Sequence, residues 1–136
     1  MKAINIEAKV EKLDEVLSFI DSELKAAECP MKFQMKLDIA VEEIFVNIAS
    51  YAYGDGVGQA EVIVDTDAEN AKAFITFKDS GQKYNPLEHE DPDISLAAED
   101  RDIGGLGIFL VKKTMDDLSY EYSDGKNILT MTYSWG

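Results

Sequence analysis

At 136 residues the chain has room for one domain, 1–136, with a sizeable apolar core. Its 27 acidic side chains against 13 basic ones give a formal charge of −14, which repels nucleic-acid phosphates and anionic lipid and argues against both as partners. One cysteine, Cys29, leaves no intrachain disulfide and no cysteine-rich zinc site. No apolar run reaches the length of a membrane span, and the start of the chain alternates where a signal peptide would be continuously apolar, so cytoplasmic residence is expected.

Residues 2–8 alternate as a strand does, with Ile4 and Ile6 on one face. Residues 10–27 read as an amphipathic helix, which Cys29-Pro30 breaks. A longer helix follows over 31–53, with Leu37, Val41, Ile44 and Ile48 as its apolar stripe. Glycines at 54, 56 and 58 turn the chain into strands near 59–66 and 71–79. Residues 82–103 hold two prolines and seven acidic side chains without a sustained period, and read as a long loop, a lid or binding segment. A helix over 106–117 and strands over 118–124 and 127–135 complete the order, the last two joined by the hairpin signal Asp124-Gly125-Lys126. This pattern predicts an α+β two-layer sandwich, a mostly antiparallel mixed sheet covered on one face by three helices.

Three short groups could carry chemistry. Glu43 and Asn47 stand one turn apart on an edge of the second helix's apolar stripe. An amide oxygen there suits a hard cation such as Mg²⁺, and the carboxylate can take a proton from a hydroxyl. A solvated helix flank is the simpler reading of that pair. Gly104-Gly105-Leu106-Gly107 allows backbone N–H groups to approach an anion at a helix start, although a flexible hinge has the same composition. The spacing is not that of a Walker A loop. Asp79-Ser80-Gly81 closes a strand and reads either as a turn or as an acceptor for an exocyclic amine. Arg101 could reach a terminal phosphate from the loop, or stand as a surface arginine. His89, among Glu88, Glu90 and Asp91, reads as a solvated loop residue.

Taken in order, these groups resemble the motifs of the Bergerat-type (GHKL) ATP-binding domain found in gyrase, MutL and histidine kinases. Glu43 with Asn47 is similar to its N box, Asp79-Ser80-Gly81 to its first glycine box, and Gly104-Gly105-Leu106-Gly107 to its second. The likeness is closer to the bacterial anti-sigma serine/threonine-protein kinases, through Val41-Glu42-Glu43-Ile44-Phe45-Val46-Asn47, Tyr84-Asn85-Pro86-Leu87 and the run from Gly104 to Val111. It extends over essentially the whole chain. Two departures stand out: Gln82-Lys83 follow Gly81 where the wider family has a second glycine, and no helix with a phosphoacceptor histidine precedes the domain.

The resemblance implies a Bergerat fold and ATP/ADP with Mg²⁺ as cofactors. It implies Asn47 as the metal ligand and Glu43 as the catalytic base. Asp79 would read the adenine amine, with Gly81 letting the base approach. Arg101, Gly104, Gly105, Leu106 and Gly107 would lie around the phosphates, under a lid at about 86–103. The implied partner is a STAS-type anti-anti-sigma protein, with a sigma factor as its competitor and a homodimer possible. A nucleotide-responsive binding module without kinase activity is the alternative from another class. Glu43 distinguishes the two, because a pure binding module has no need of a base.

Overall fold

A computed structural model describes residues 1–54, 56–88 and 103–136. The chain runs β1 (Lys2–Glu7), α1 (Leu13–Ala26), α2 (Met31–Tyr51), β2 (Gln59–Asp67), β3 (Lys72–Asp79), α3 (Ile103–Thr114), β4 (Asp117–Ser123) and β5 (Lys126–Ser134). Short 3-10 turns at Val10–Lys12 and Pro86–Glu88 lie before α1 and after β3. Residues 89–102, with most of the expected lid, His89 and Arg101, lie outside the described residues. Among the described residues no helix is long and apolar enough to cross a membrane.

The strands form one sheet in the order β1-β2-β3-β5-β4. Every pairing is antiparallel, so the expected mixed sheet has no parallel pair. The connections explain this. Two helices separate β1 from β2, and an even number of crossings returns the chain to the end at which β1 finished. Tight turns make β2–β3 and β4–β5 hairpins. The single helix α3 sets β4 parallel to β3, and β5 then inserts between them, antiparallel to both.

Alternation along the strands puts Val62, Val64, Ile75, Phe77, Leu129 and Met131 on the buried face of the sheet. Against it lie Val16, Ile20 and Leu24 of α1, Leu37, Val41 and Phe45 of α2, and Ile108 and Val111 of α3. Side chains four residues apart on a helix share one face, and burying that face is most of what holds such helices in place. The α1–α2 corner depends on local chemistry. Glu28 takes a left-handed conformation with φ of 62°, Cys29 N donates to Leu24 O at 3.0 Å, and buried Gln34 Nε2 donates to Cys29 O at 2.7 Å. At the far hairpin Asp124 and Gly125 both have positive φ, at 54° and 75°, as a two-residue turn between twisted strands requires.

Helix α3 begins at Ile103 and ends at Thr114, three residues earlier at each end than the apolar pattern predicts. Gly104, Gly105 and Gly107 are therefore helical residues of its first turns. At position 107 the glycine serves close packing, described below.

Candidate functional site

One end of the sheet collects the C-terminal end of β3, the first residues of β5 and the last turns of α2. The register pairs Asp79 with Asn127 across β3 and β5, and Asp79 with Ala60 across β2 and β3. Between this end and α2 lies a cleft, open at its mouth and largely apolar in its lining. Its walls include Ile44, Asn47 and Ile48 of α2, Phe77 and Asp79 of β3, and Leu129 of β5.

Asp79 and Asn127 are buried polar residues at this end, 6 % and 7 % exposed. Asn127 Nδ2 donates to Asp79 Oδ1 at 3.0 Å and to Gln82 O at 2.9 Å. Its Oδ1 accepts from Tyr84 N at 3.1 Å and from the Tyr120 hydroxyl. All the hydrogen-bonding capacity of this amide is used, so its orientation is fixed. Gly81 N also donates to Asp79 Oδ1, at 2.9 Å. Both bonds to Asp79 end on Oδ1, and Oδ2 takes neither. A buried carboxylate anchored through one oxygen can offer the other to an N–H donor in the cleft.

Gly81 does not line the cleft. A Cβ on it would come within 2.2 Å of Ala52 O and 2.6 Å of Ala52 C, the backbone that closes α2. Gln82 N donates to that same carbonyl at 2.8 Å. The glycine thus lets β3 exit against the end of α2. The Tyr53 hydroxyl adds a second tie, donating to Gln59 O at 2.6 Å and accepting from Ser80 N at 2.9 Å. Burial pushes that phenol's pKa above its ordinary value, so it stays a neutral donor.

The other wall joins α2 to α3. A Cβ on Gly107 would fall 1.9 Å from Glu43 Oε2 and 2.6 Å from Glu43 Cδ. The Glu43 carboxylate therefore rests directly on the glycine backbone in the second turn of α3. Asn47, one turn further along α2, donates Nδ2 to Glu43 O at 2.9 Å. With Nδ2 held by the main chain, Oδ1 is the amide atom left for the cleft. A neutral amide oxygen facing the cleft would suit a hard, oxygen-seeking cation. Among the described residues no three acidic, histidine or cysteine side chains gather to hold a metal unaided.

The fold thus brings Glu43 to Gly107, and Asn47 and Asp79 to one cleft, while Gly81 stands behind it. Gly104, Gly105 and Leu106 lie in the first turn of α3, and Arg101 is outside the described residues. Sequence reading missed Asn127. Its only local signal was the hairpin before it, and its role depends on pairing with a strand 48 residues away.

The sequence profile of the histidine kinase-like ATPase domain matches residues 6–133. The chain is 28 % identical over 101 residues to the serine/threonine-protein kinase BtrW of Bordetella bronchiseptica, covering 74 % of this chain and 70 % of that protein. It is 25 % identical over 99 residues to the serine-protein kinase RsbW of Bacillus cereus, covering 71 % of this chain and 62 % of that one, under two thirds of its length. In fold it is similar to the histidine kinase domain of the blue-light activated histidine kinase EL346 from Erythrobacter litoralis, with a TM-score of 0.58 and 12 % identity, covering 92 % of this chain and 60 % of the other. With the profile spanning nearly its whole length and an α+β sandwich beneath it, this chain belongs to the histidine kinase-like ATPase domain family.

Proposed function

We propose that the chain is an ATP-dependent serine/threonine-protein kinase that phosphorylates a STAS-type anti-anti-sigma protein and itself works as an anti-sigma factor. The observation that carries this reading is the Glu43 carboxylate lying on Gly107, one turn from Asn47 at the wall of the cleft. An ATP-binding module needs the cleft and the glycines, but has no use for a carboxylate held against the phosphate-side helix. The names of the relatives BtrW and RsbW, both kinases acting on serine or threonine, support the same class.

In this reading Asp79 accepts a hydrogen bond from the adenine amine through Oδ2, and Asn127 holds Asp79 in register. Asn47 offers Oδ1 to Mg²⁺, and Gly104, Gly105, Leu106 and Gly107 present the start of α3 to the phosphates of ATP or ADP. Bound MgATP supplies the phosphoryl group and neutralises charge as it transfers. Glu43 takes the proton of the acceptor hydroxyl and orients that hydroxyl. Arg101 approaches the terminal phosphate. In this scheme a sigma factor competes for the kinase with the unphosphorylated partner, and the kinase acts as a homodimer.

The test incubates the protein with Mg²⁺, γ-labelled ATP and STAS-type proteins, beside a Glu43→Ala variant. Transfer should fall by about 10² or more in the variant while ATP binding is retained. Equal transfer by both proteins would remove Glu43 from the chemistry. Tight ATP binding with no transfer to any acceptor would leave a nucleotide-responsive binding module. Absence of ATP and ADP binding would end both nucleotide readings.

A further inference from the structure

The outward face of α2 carries an apolar row. Met31, Met35 and Ile39 follow one another at one-turn spacing and are 60 %, 60 % and 58 % exposed. At about 100° per residue they point away from Leu37, Val41 and Ile44, which face the sheet. Isolated exposed apolar side chains are ordinary, whereas a contiguous row of them marks a contact surface. The next residue in that spacing is Glu43.

Lysines frame the row. Lys32 and Lys36 have their ammonium groups 5.1 and 5.8 Å from the centre of the Phe33 ring, and that of Lys113 lies 5.4 Å from the Phe109 ring. Acidic groups outnumber basic ones 27 to 13 in this chain, yet none of the ion pairs among the described residues involves these three lysines. Lys36, Ile39, Lys113, Thr114 and Tyr133 line one shallow groove of about 300 Å³ where α2 and α3 meet the end of β5. A strongly acidic protein thus sets three lysines beside an apolar strip, which also carries the exposed Glu42 and leads to Glu43.

We propose that this face docks the phosphoacceptor protein, and that the segment it takes is acidic and carries apolar side chains. The proposal rests on the kinase reading above. Apolar side chains of the partner cover Met31, Met35 and Ile39, its carboxylates pair with Lys32, Lys36 and Lys113, and its acceptor hydroxyl reaches Glu43. A basic segment would meet the lysines head on. A second copy of this chain would bring the same lysine-framed face, with no added carboxylate segment to meet it.

The experiment uses the STAS-type protein that accepts label from the wild-type chain and measures its affinity calorimetrically in Mg²⁺ and ATP. Ile39→Asp and the pair Lys36→Glu with Lys113→Glu should each weaken partner binding by about tenfold or more. Affinity for MgATP alone should stay within about twofold, which also shows that the variants fold. Wild-type affinity for the partner should fall as salt is added, and the double lysine variant should lose most of that dependence. Glu43→Ala separates docking from chemistry, because it should bind the partner and transfer nothing. Label transfer with unchanged affinity in the Ile39 and lysine variants would overturn the docking face and leave the kinase standing. If no STAS-type protein accepts label, both fail. Self-association of the chain that Ile39→Asp abolishes would overturn the proposal by giving the face to a second copy.

Discussion

Two glycines of this chain are small for different reasons, and substitution separates them. A methyl group at Gly81 meets the Ala52 main chain at 2.2 Å, which cannot yield without moving the end of α2. Gly81→Ala should therefore cost about 2–3 kcal/mol in urea denaturation. At Gly107 the obstacle is the tip of the Glu43 side chain, at 1.9 Å. That side chain can swing away, and alanine gains about 1 kcal/mol in a helix interior. Gly107→Ala should keep stability within about 1 kcal/mol of wild type while phosphoryl transfer falls with Glu43 displaced. Parallel losses of stability in both variants would show that Glu43 is clamped by its surroundings. Both positions belong to the glycine groups that the sequence singles out, Asp79-Ser80-Gly81 and Gly104-Gly105-Leu106-Gly107. It could not say what lay opposite either one. The contacts join residues far apart in the chain, and no local period encodes them.

At the scale of elements, the α1–α2 pair holds a titratable group away from the cleft end. Asp38 on α2 has its carboxyl pKa pushed up from the usual 3.8 to about 7, by burial first and then by its hydrogen bond with, and the charge of, Asp21 on α1. Asp21 Oδ1 and Asp38 Oδ1 are buried without donors, and a proton shared between the carboxyls supplies one. Between 3.8 and about 7 the folded chain holds a proton that the unfolded chain has released, so stability declines as pH rises through that window. Asp38→Asn brings its own donor. Allowing for solvent at a half-buried pair, it should gain about 1–2 kcal/mol at about pH 8 and almost nothing near pH 4. An equal gain at both pH values in urea titrations would rule out a shared proton. Helices and strands were legible where burial is one-sided, as in Val16, Ile20 and Leu24 of α1 or the alternating residues of β5. The ends of α3 were not, because three glycines near its start imitate a loop. Nor was the sheet order legible, since β5 joins β3 across an intervening helix.

For the whole molecule the governing quantity is its charge. With a formal −14 spread over a chain of 136 residues, the compact state repels itself, and added salt relieves that repulsion within a Debye length of about 8–10 Å. The melting temperature should rise by several degrees as sodium chloride goes from about 0.05 to about 0.5 M, read by calorimetry. A flat or falling profile would mean that local pairs and lysine–aromatic contacts outweigh the net field. In the proposed reading nucleotide meets the same field, and would be held by what the cleft end supplies locally: an amide oxygen, a helix start and an anchored carboxylate. That economy explains why so few residues carry the candidate site. It also explains why the lysine-framed face of α2 stands out against the rest of the surface.

The contact between Glu43 and Gly107 has a consequence for descent. The two positions are coupled in one direction: a side chain at 107 has room only when the carboxylate at 43 swings off the helix. A lineage that keeps the carboxylate in its place must keep the glycine, and one that abandons the carboxylate is released at 107. Related chains with a side chain at 107 should therefore lack the carboxylate at 43, and chains that combine the two should be scarce.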